Sequence, residues 1–433
     1  AQQGKRDDGP GEEQTFQILR AFYFSLNGDM WTRSDGWLQP TVPICEWWGV
    51  TCLPRNASKQ FQPVIKLELP QNGLKGMIPN SICQLSQLVV MDLSGNALMG
   101  PLPIDIGLLD GLNNLILNNN MLTGTIPKSI GDLFALKIFD LSHNQLSSPL
   151  PLTFWDMARL QYLNLSYNAF NERLSTGLSQ LTSLLGLSLR NNAFYGPLPL
   201  GMNALTSLST LDISYNHFSG EIMPELTQPL QSLQVFLGSH NNFSGGTCGL
   251  GYLTNIRKLL MNHNALDGEL HPYLYDLTQC VALDLSHNKL SGFVPETLLG
   301  SLLGRTQLIY LNLLGNTGLV SWEQRIPPFL GVDPHSLVHT SLGSFVCHRL
   351  YLHSAPSTTV MVDPSFFFYK HCNCIRDSYG VPPDQCYDCP PGATCSGDST
   401  FTFDAGWYPI IEPRNLTHAP DNYFTHQADT VHQ

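Results

Sequence analysis

Charge is what this sequence has least of. Asp, Glu, Lys and Arg make up 13% of its 433 residues, about half the ~25% usual for soluble domains. The hydrophobic share is an ordinary 42%, so uncharged polar side chains must cover much of the surface, unlike a disordered polyelectrolyte. Lys and Arg number 22 against 34 acidic residues, a formal charge of −12. No basic run offsets that balance, which excludes a nucleic-acid partner for want of phosphate-neutralising groups. No stretch reaches the ~18–20 apolar residues needed to span a bilayer. Also missing are a Gly-x-Ser-x-Gly elbow, a His-Glu-x-x-His pair and a phosphate-binding glycine loop. The sequence therefore indicates no enzyme, no cofactor and no metal centre.

Cysteine is present and unevenly placed. Cys45 and Cys52 stand near the start, and Cys347, Cys372, Cys374, Cys386, Cys389 and Cys395 near the finish. Such clusters at chain ends suit disulfide staples formed in an oxidising compartment. Cys386 and Cys389 have a zinc-ligand spacing, but the Pro-Pro-Gly turn after them and the secretory context favour disulfides. Four N-glycosylation sequons agree with that context: Asn56-Ala-Ser, Asn164-Leu-Ser, Asn242-Phe-Ser and Asn415-Leu-Thr. Ala1 in place of methionine fits a mature chain after signal removal. The expected location is extracellular, secreted or at the cell surface. Eleven cysteines is an odd number, so at least one thiol is free or pairs with another chain. Cys83 is the expected buried thiol, and a Cys248–Cys280 bridge is open.

Asparagine sets a period. It recurs at Asn72, Asn96, Asn120, Asn144, Asn168, Asn192 and Asn216 in steps of 24. The frame continues through Asn241, Asn264 and Asn288 to Asn316. Around each lies an apolar pattern, as in Leu88, Met91, Leu93, Asn96 and Leu98, or Leu208, Leu211, Ile213, Asn216 and Phe218. The middle of each repeat alternates in and out and predicts a short strand. A lone strand of that length cannot satisfy its backbone, but stacked on its neighbours it becomes one rung of a parallel sheet. The asparagine falls where the chain leaves the strand, and a buried amide there bonds backbone groups of adjacent turns. Gly76-Met-Ile-Pro79, Gly100-Pro-Leu-Pro103, Gly124-Thr-Ile-Pro127 and Gly196-Pro-Leu-Pro199 then bend the chain and start a short outer helical turn.

This frame resembles the leucine-rich repeat family, and its Gly-x-Ile/Leu-Pro turns are similar to the plant-type subclass. The resemblance implies an α/β solenoid, a superhelix with a parallel sheet on its concave face. Residues 63–322 form the solenoid of about 11 repeats. Residues 1–62 form an amino-terminal cap in which Cys45-Glu-Trp-Trp-Gly-Val-Thr-Cys52 resembles the family's paired-cysteine cap. Phe16, Leu19, Tyr23 and Leu26 share one face of a helix that Asn27-Gly28 ends. Trp31, Trp37, Trp47 and Trp48 shield the first layer. Residues 323–371 are a carboxy-terminal cap or linker, and residues 372–433 resemble a small cysteine-rich module of EGF or ephrin-receptor type.

Departures from the frame predict local irregularity. Ser148 and Glu172 replace the turn glycine, and Arg173-Leu-Ser175 lacks the proline, so the outer side of that repeat is expected to be irregular. Gly238 and Gly245-Gly-Thr-Cys248 predict a distortion over 236–250.

Two columns of the sheet stand out. Glu68, Asp92, Asp140, Asp212 and Asp284 sit between the inner apolar residues and make an acidic stripe on an open, wet sheet. His143, Tyr167, Tyr215, His240, His263 and His287 each precede a frame asparagine, and Arg190 stands beside this column. Rings in successive repeats should stack near the strand spacing; Tyr167 and Tyr215 are suited to contact a protein or sugar, and the histidines to lose affinity on protonation. Asn164 points out of its strand, so a glycan there would stand on the sheet floor and limit the size of a partner. The resemblance implies a non-catalytic module that recognises a protein or glycan. The low charge, the glycan sites and the odd cysteine admit a second function, a subunit whose copies assemble into a matrix or filament.

Overall fold

The computed structural model describes residues 10–54, 61–293, 310–313 and 315–320, with short strands between 337 and 403. Two compact units divide the chain between Ile256 and Arg257.

The first unit opens with helix α1, Glu12–Ser25. Its apolar positions bury Ile18, Leu19, Phe22 and Tyr23, and Asn27 ends it in a left-handed conformation, φ 58°. Trp31, Trp37 and Trp47 pack beneath it, with the Trp37 ring 4.9 Å from each of the other two. Each indole N–H finds a carbonyl, Trp31 on Leu26 and Trp37 on Trp48 at 2.9 Å, Trp47 on Val42 at 3.1 Å, so large rings are buried without an orphaned donor. The Cys45–Cys52 disulfide closes this cap. Gly76 lies so close to α1 that a Cβ would meet the Ser25 carbonyl at 2.2 Å, which fixes glycine there.

From the cap runs one long sheet. Val50–Cys52 pairs antiparallel with Val64–Glu68. Every later rung is parallel: Val90–Asp92, Asn114–Ile116, Ile138–Asp140, Tyr162–Asn164, Gly186–Ser188, Thr210–Asp212 and Val235–Leu237. The register is in frame, so Met91, Leu115, Phe139, Leu163, Leu187, Leu211 and Phe236 stack inside at 0–1% exposure. Burying each such side chain stabilises by about 1.5–3 kcal/mol. The second unit repeats the pattern with Lys258–Leu260, Ala282–Asp284 and Tyr310–Asn312. Beyond them lie three short antiparallel hairpins, whose strands include Cys347, Cys386 and Cys395. Cys372, Cys374 and Cys389, like the side chains of those three, lie outside the described residues. Cys83, Cys248 and Cys280 are free thiols, so neither of the last two forms the bridge left open by the sequence. Burial pushes Cys83 and Cys280 up to about 12.

The outer side follows the prolines. Pro79, Pro127, Pro151 and Pro199 each precede a 3₁₀ turn. Where proline is absent, Ser175 caps the turn Thr176–Gln180 by accepting the Gly177 N–H at 3.1 Å. The expected irregularity of that repeat's outer side lies in its outer strand rather than in this turn. A second, outer sheet runs through Lys75–Gly76, Ala97–Gly100, Met121–Gly124 and Gln145–Leu146, then breaks down to two isolated bridges, Ser147–Ala169 and Arg173–Tyr195, and resumes at Tyr195–Gly196. Across the break Glu172 accepts from the Leu150 N–H at 2.9 Å and the Ser148 hydroxyl at 3.1 Å. Near residue 248 the 3₁₀ turn becomes the α-turn Cys248–Gly251, while Val235–Leu237 stays in register.

The frame asparagines knit the turns. The Asn144 amide nitrogen donates to the Leu117 and Leu141 carbonyls at 3.0 Å, and its oxygen accepts the Leu122 N–H at 2.9 Å. Asn120, Asn168, Asn192 and Asn216 repeat this set, as do Asn288 and Asn316 in the second unit. Asn144→Ala strands three backbone groups away from water, and unsatisfied buried groups cost ~1–3 kcal/mol each. The variant is expected to lose about 2–4 kcal/mol in urea unfolding.

Candidate functional site: a ring and guanidinium ladder

The residue before each frame asparagine is held in the left-handed region. Gln71, Asn119, His143, Tyr167, Asn191, Tyr215, His240, His263 and His287 have φ between 49° and 55°, and Gly95 and Gly315 fill the same place at 67° and 71°. The turn out of the strand demands that conformation, which suits Gly and Asn and is tolerated by His. This accounts for much of the histidine column without a ligand. It does not account for Tyr167 and Tyr215, because a bulky residue there costs about 1–2 kcal/mol.

What those side chains do is stack. In the first unit the His143 and Tyr167 ring centroids are 4.1 Å apart at 12°, and Tyr215 and His240 are 4.2 Å apart at 13°. Asn191 has no ring to continue the column, and Arg190 fills the gap. Its Nε donates to the Tyr167 hydroxyl at 3.0 Å, and its guanidinium carbon lies 4.8 Å from the Tyr215 ring centre. Nη1 donates to Ser214 at 3.3 Å and stands 3.8 Å from the Asp212 carboxylate. The result is a ladder, His143–Tyr167–Arg190–Tyr215–His240, along one edge of the sheet. The ring faces of His143 and Tyr167, and of Tyr215 and His240, pack on one another, and the guanidinium is held between the two pairs. All five side chains are half-buried.

His263 and His287 form a separate pair in the second unit, 4.3 Å apart at 6°. Burial and the neighbouring His287 lower the His263 pKa, against Asp284, which raises it. Among the described residues no group of three or more His, Cys, Asp or Glu side chains is placed to hold a metal ion.

The acidic column is less wet than the sequence suggests. Asp92, Asp140, Asp212 and Asp284 each accept the backbone N–H of the serine two residues on, at 2.9–3.0 Å, and that serine's hydroxyl too. Asp140 is 6% exposed, and burial first, then Asp92, raises its carboxyl to about 6 against the bonds from Ser142 and Asn164. The open, wet setting expected of this column is corrected there.

Asn164 occupies the same column and makes the same turn. It is 7% exposed; its oxygen accepts the Ser166 N–H at 3.1 Å and its nitrogen donates to Asp140 at 3.3 Å. A glycan on that nitrogen, expected to stand on the floor, requires the side chain to leave this arrangement. Asn242 is exposed at the start of the outer strand Asn242–Gly245. Asn56 and Asn415 lie outside the described residues.

Frame, parallel rungs and asparagine bonds together define a leucine-rich repeat solenoid. Two leucine-rich repeat family models match the chain, one over residues 110–170 and one over 207–228 and 280–301. Among curated proteins it is 31% identical to phytosulfokine receptor 1 of Arabidopsis thaliana over 101 residues, which are 23% of this chain and 9% of that one. Among solved structures it resembles a TDR receptor with 32% identity and a TM-score of 0.55, covering 58% of this chain and 43% of that one. The Arabidopsis receptor kinase HAESA, solved with the peptide hormone IDA and the co-receptor SERK1, is similar at 27% identity and TM-score 0.55, covering 71% and 54%. The chain thus spans about half or less of each of these relatives. No described helix is long and apolar enough to cross a membrane.

Because its folded pKa is raised above the unfolded value, Asp140 contributes stability that is complete below about pH 4 and lost as pH rises through about 6. Asp140→Asn removes this titration. Relative to the variant, the native chain is expected to gain on the order of 1–3 kcal/mol between pH 7 and pH 4, measured by urea unfolding at each pH.

Proposed function

We propose that this chain is an extracellular recognition module that binds a protein or peptide across the strand-lined face of its first unit. The ladder from His143 to His240 forms the contact edge. One observation carries this reading: Tyr167 and Tyr215 occupy left-handed turns that Asn or Gly fills at lower cost, and Arg190 is fixed between them. Strain retained at a half-buried edge is characteristic of sites under functional demand, and Tyr and Arg are the residue types on which binding energy concentrates. The likeness to receptor ectodomains, one solved with a peptide hormone and a co-receptor, supports the same class of partner. That likeness and the Cys45–Cys52 disulfide support a location outside the cell.

The site has little bulk chemistry to offer beyond this edge. Asp212, 15% exposed, neutralises Arg190 and holds it in place, so the guanidinium is pre-positioned rather than recruited.

The test is a binding screen of the whole chain against displayed extracellular proteins and peptides, run beside Arg190→Ala and Tyr215→Asn. A partner is expected that binds the native chain and is weakened about tenfold or more by either variant. Tyr215→Asn should unfold within about 1 kcal/mol of the native chain, since lost stacking of ~0.5–1.5 kcal/mol offsets relieved strain. A partner bound equally by all three proteins contradicts the proposal.

A further inference from the structure

We infer that, of the two sequons in the described residues, Asn242 carries a glycan and Asn164 is left bare, so that sugar borders the ladder instead of covering the sheet. The inference rests on the extracellular reading above.

The Asn164-Leu165-Ser166 triplet is a structural motif that happens to spell a sequon. Asp92-Leu-Ser94, Asp140-Leu-Ser142, Asp212-Ile-Ser214 and Asp284-Leu-Ser286 stand in the same frame. In each, the first side chain accepts from the serine N–H and hydroxyl, as the Asn164 oxygen does from Ser166. The Asn164 nitrogen, the atom a sugar would modify, donates to the Asp140 carboxylate. Asn312 supplies an independent comparison. It follows Asp284 by one rung and donates to that carboxylate at the same 3.3 Å, yet Asn312-Leu-Leu is no sequon. The bond from asparagine to the preceding aspartate is thus made for its own sake. A glycan at Asn164 leaves that nitrogen a single N–H and forces a polar, bulky group into a site 7% exposed; the side chain must leave the turn to make room, and unsatisfied buried partners then destabilise the rung. Chains modified there fail to close this repeat, and the folded population is the unmodified one.

Asn242 differs in each respect. Its side chain is exposed, it starts a strand whose backbone pairs with Ser219, and Phe243 beside it is buried. The alternation directs residue 242 outward while the backbone stays bonded. It follows His240 by two residues, so its sugar marks that end of the ladder. A partner therefore reaches the ladder from the Tyr167 and Arg190 side, and the floor over Asn164 and Ser188 remains open.

The test uses the whole chain, given a signal sequence and expressed in a secreting eukaryotic cell, so it enters the glycosylation pathway whatever its native location. Folded protein is isolated, its glycans are released by peptide N-glycosidase in heavy-oxygen water, and peptides are read by mass spectrometry. Heavy label at Asn242 and none at Asn164 is the expected result, and Asn242→Gln should remove one glycan's mobility shift with the unfolding midpoint unchanged. Label at Asn164 in folded protein overturns the inference, and so does an unlabelled Asn242. Neither outcome bears on the partner screen, which tests the recognition reading by itself.

Discussion

The hydrogen bonds of the frame asparagines are the constraint on which the rest depends. A rung of three residues has too few backbone bonds and too little apolar surface to stand alone. The asparagine corrects both at once: its amide satisfies carbonyls and an N–H that the turn leaves unpaired, and it ties each rung to the one before. The series begins in the cap, where Asn72, 1% exposed, accepts from the Arg33 N–H at 2.7 Å and donates to the Arg33 carbonyl at 2.9 Å. Tryptophans beneath α1 close the apolar end, and the first amide closes the polar one. Asp has no N–H to donate to the carbonyls and Ser lacks the reach to serve both neighbours, which is why the period survives where the leucines vary to Met, Phe or Ile.

The same bonds dictate where recognition chemistry is placed. Bringing the amide inward requires the preceding residue to turn left-handed, and its side chain then leans toward the next rung. The Gln71 side chain lies over Gly95 and the His287 ring over Gly315, each within 2.7 Å of where a Cβ would stand. In the middle of the first unit that lean stacks ring on ring and admits Arg190 where the column carries only Asn191. The ladder is thus an outgrowth of the turn, rigid because the turn is rigid, and fixed to the sheet by Asp212 and Ser214. Carboxylates of the acidic column serve the same turn through their serines, so the stripe is mainly scaffold.

Much of the fold was legible because one-dimensional architecture repeats its physics at a fixed interval. Spacing alone located strands, proline turns and interior amides. The site was legible in part. The histidine and tyrosine column was visible, but its backbone state was not inferred, although Gly95, Asn119 and Asn191 in the same register signal a left-handed turn. Arg190 was identified as a neighbour of the column; its place between two rings depends on side-chain reach across two rungs, which no local pattern encodes. Asn164 carries two readings in one triplet: the residues that spell a site for modification also close the turn with Ser166. The irregular outer side expected from Glu172 and the missing proline is present as an interrupted outer sheet, while a hydroxyl cap at Ser175 keeps the turn itself regular.

Residue-resolved hydrogen exchange of the native chain tests the central claim most directly. The N–H groups of Leu98, Leu122, Leu146, Phe170, Phe194 and Phe218 donate to frame-asparagine oxygens. They lie outside the long sheet, and without that partner they would exchange as turn amides. The account predicts that they are protected as strongly as the strand amides of Leu115 and Leu163, repeat after repeat. Exchange of these six at the rate of exposed turns would contradict it.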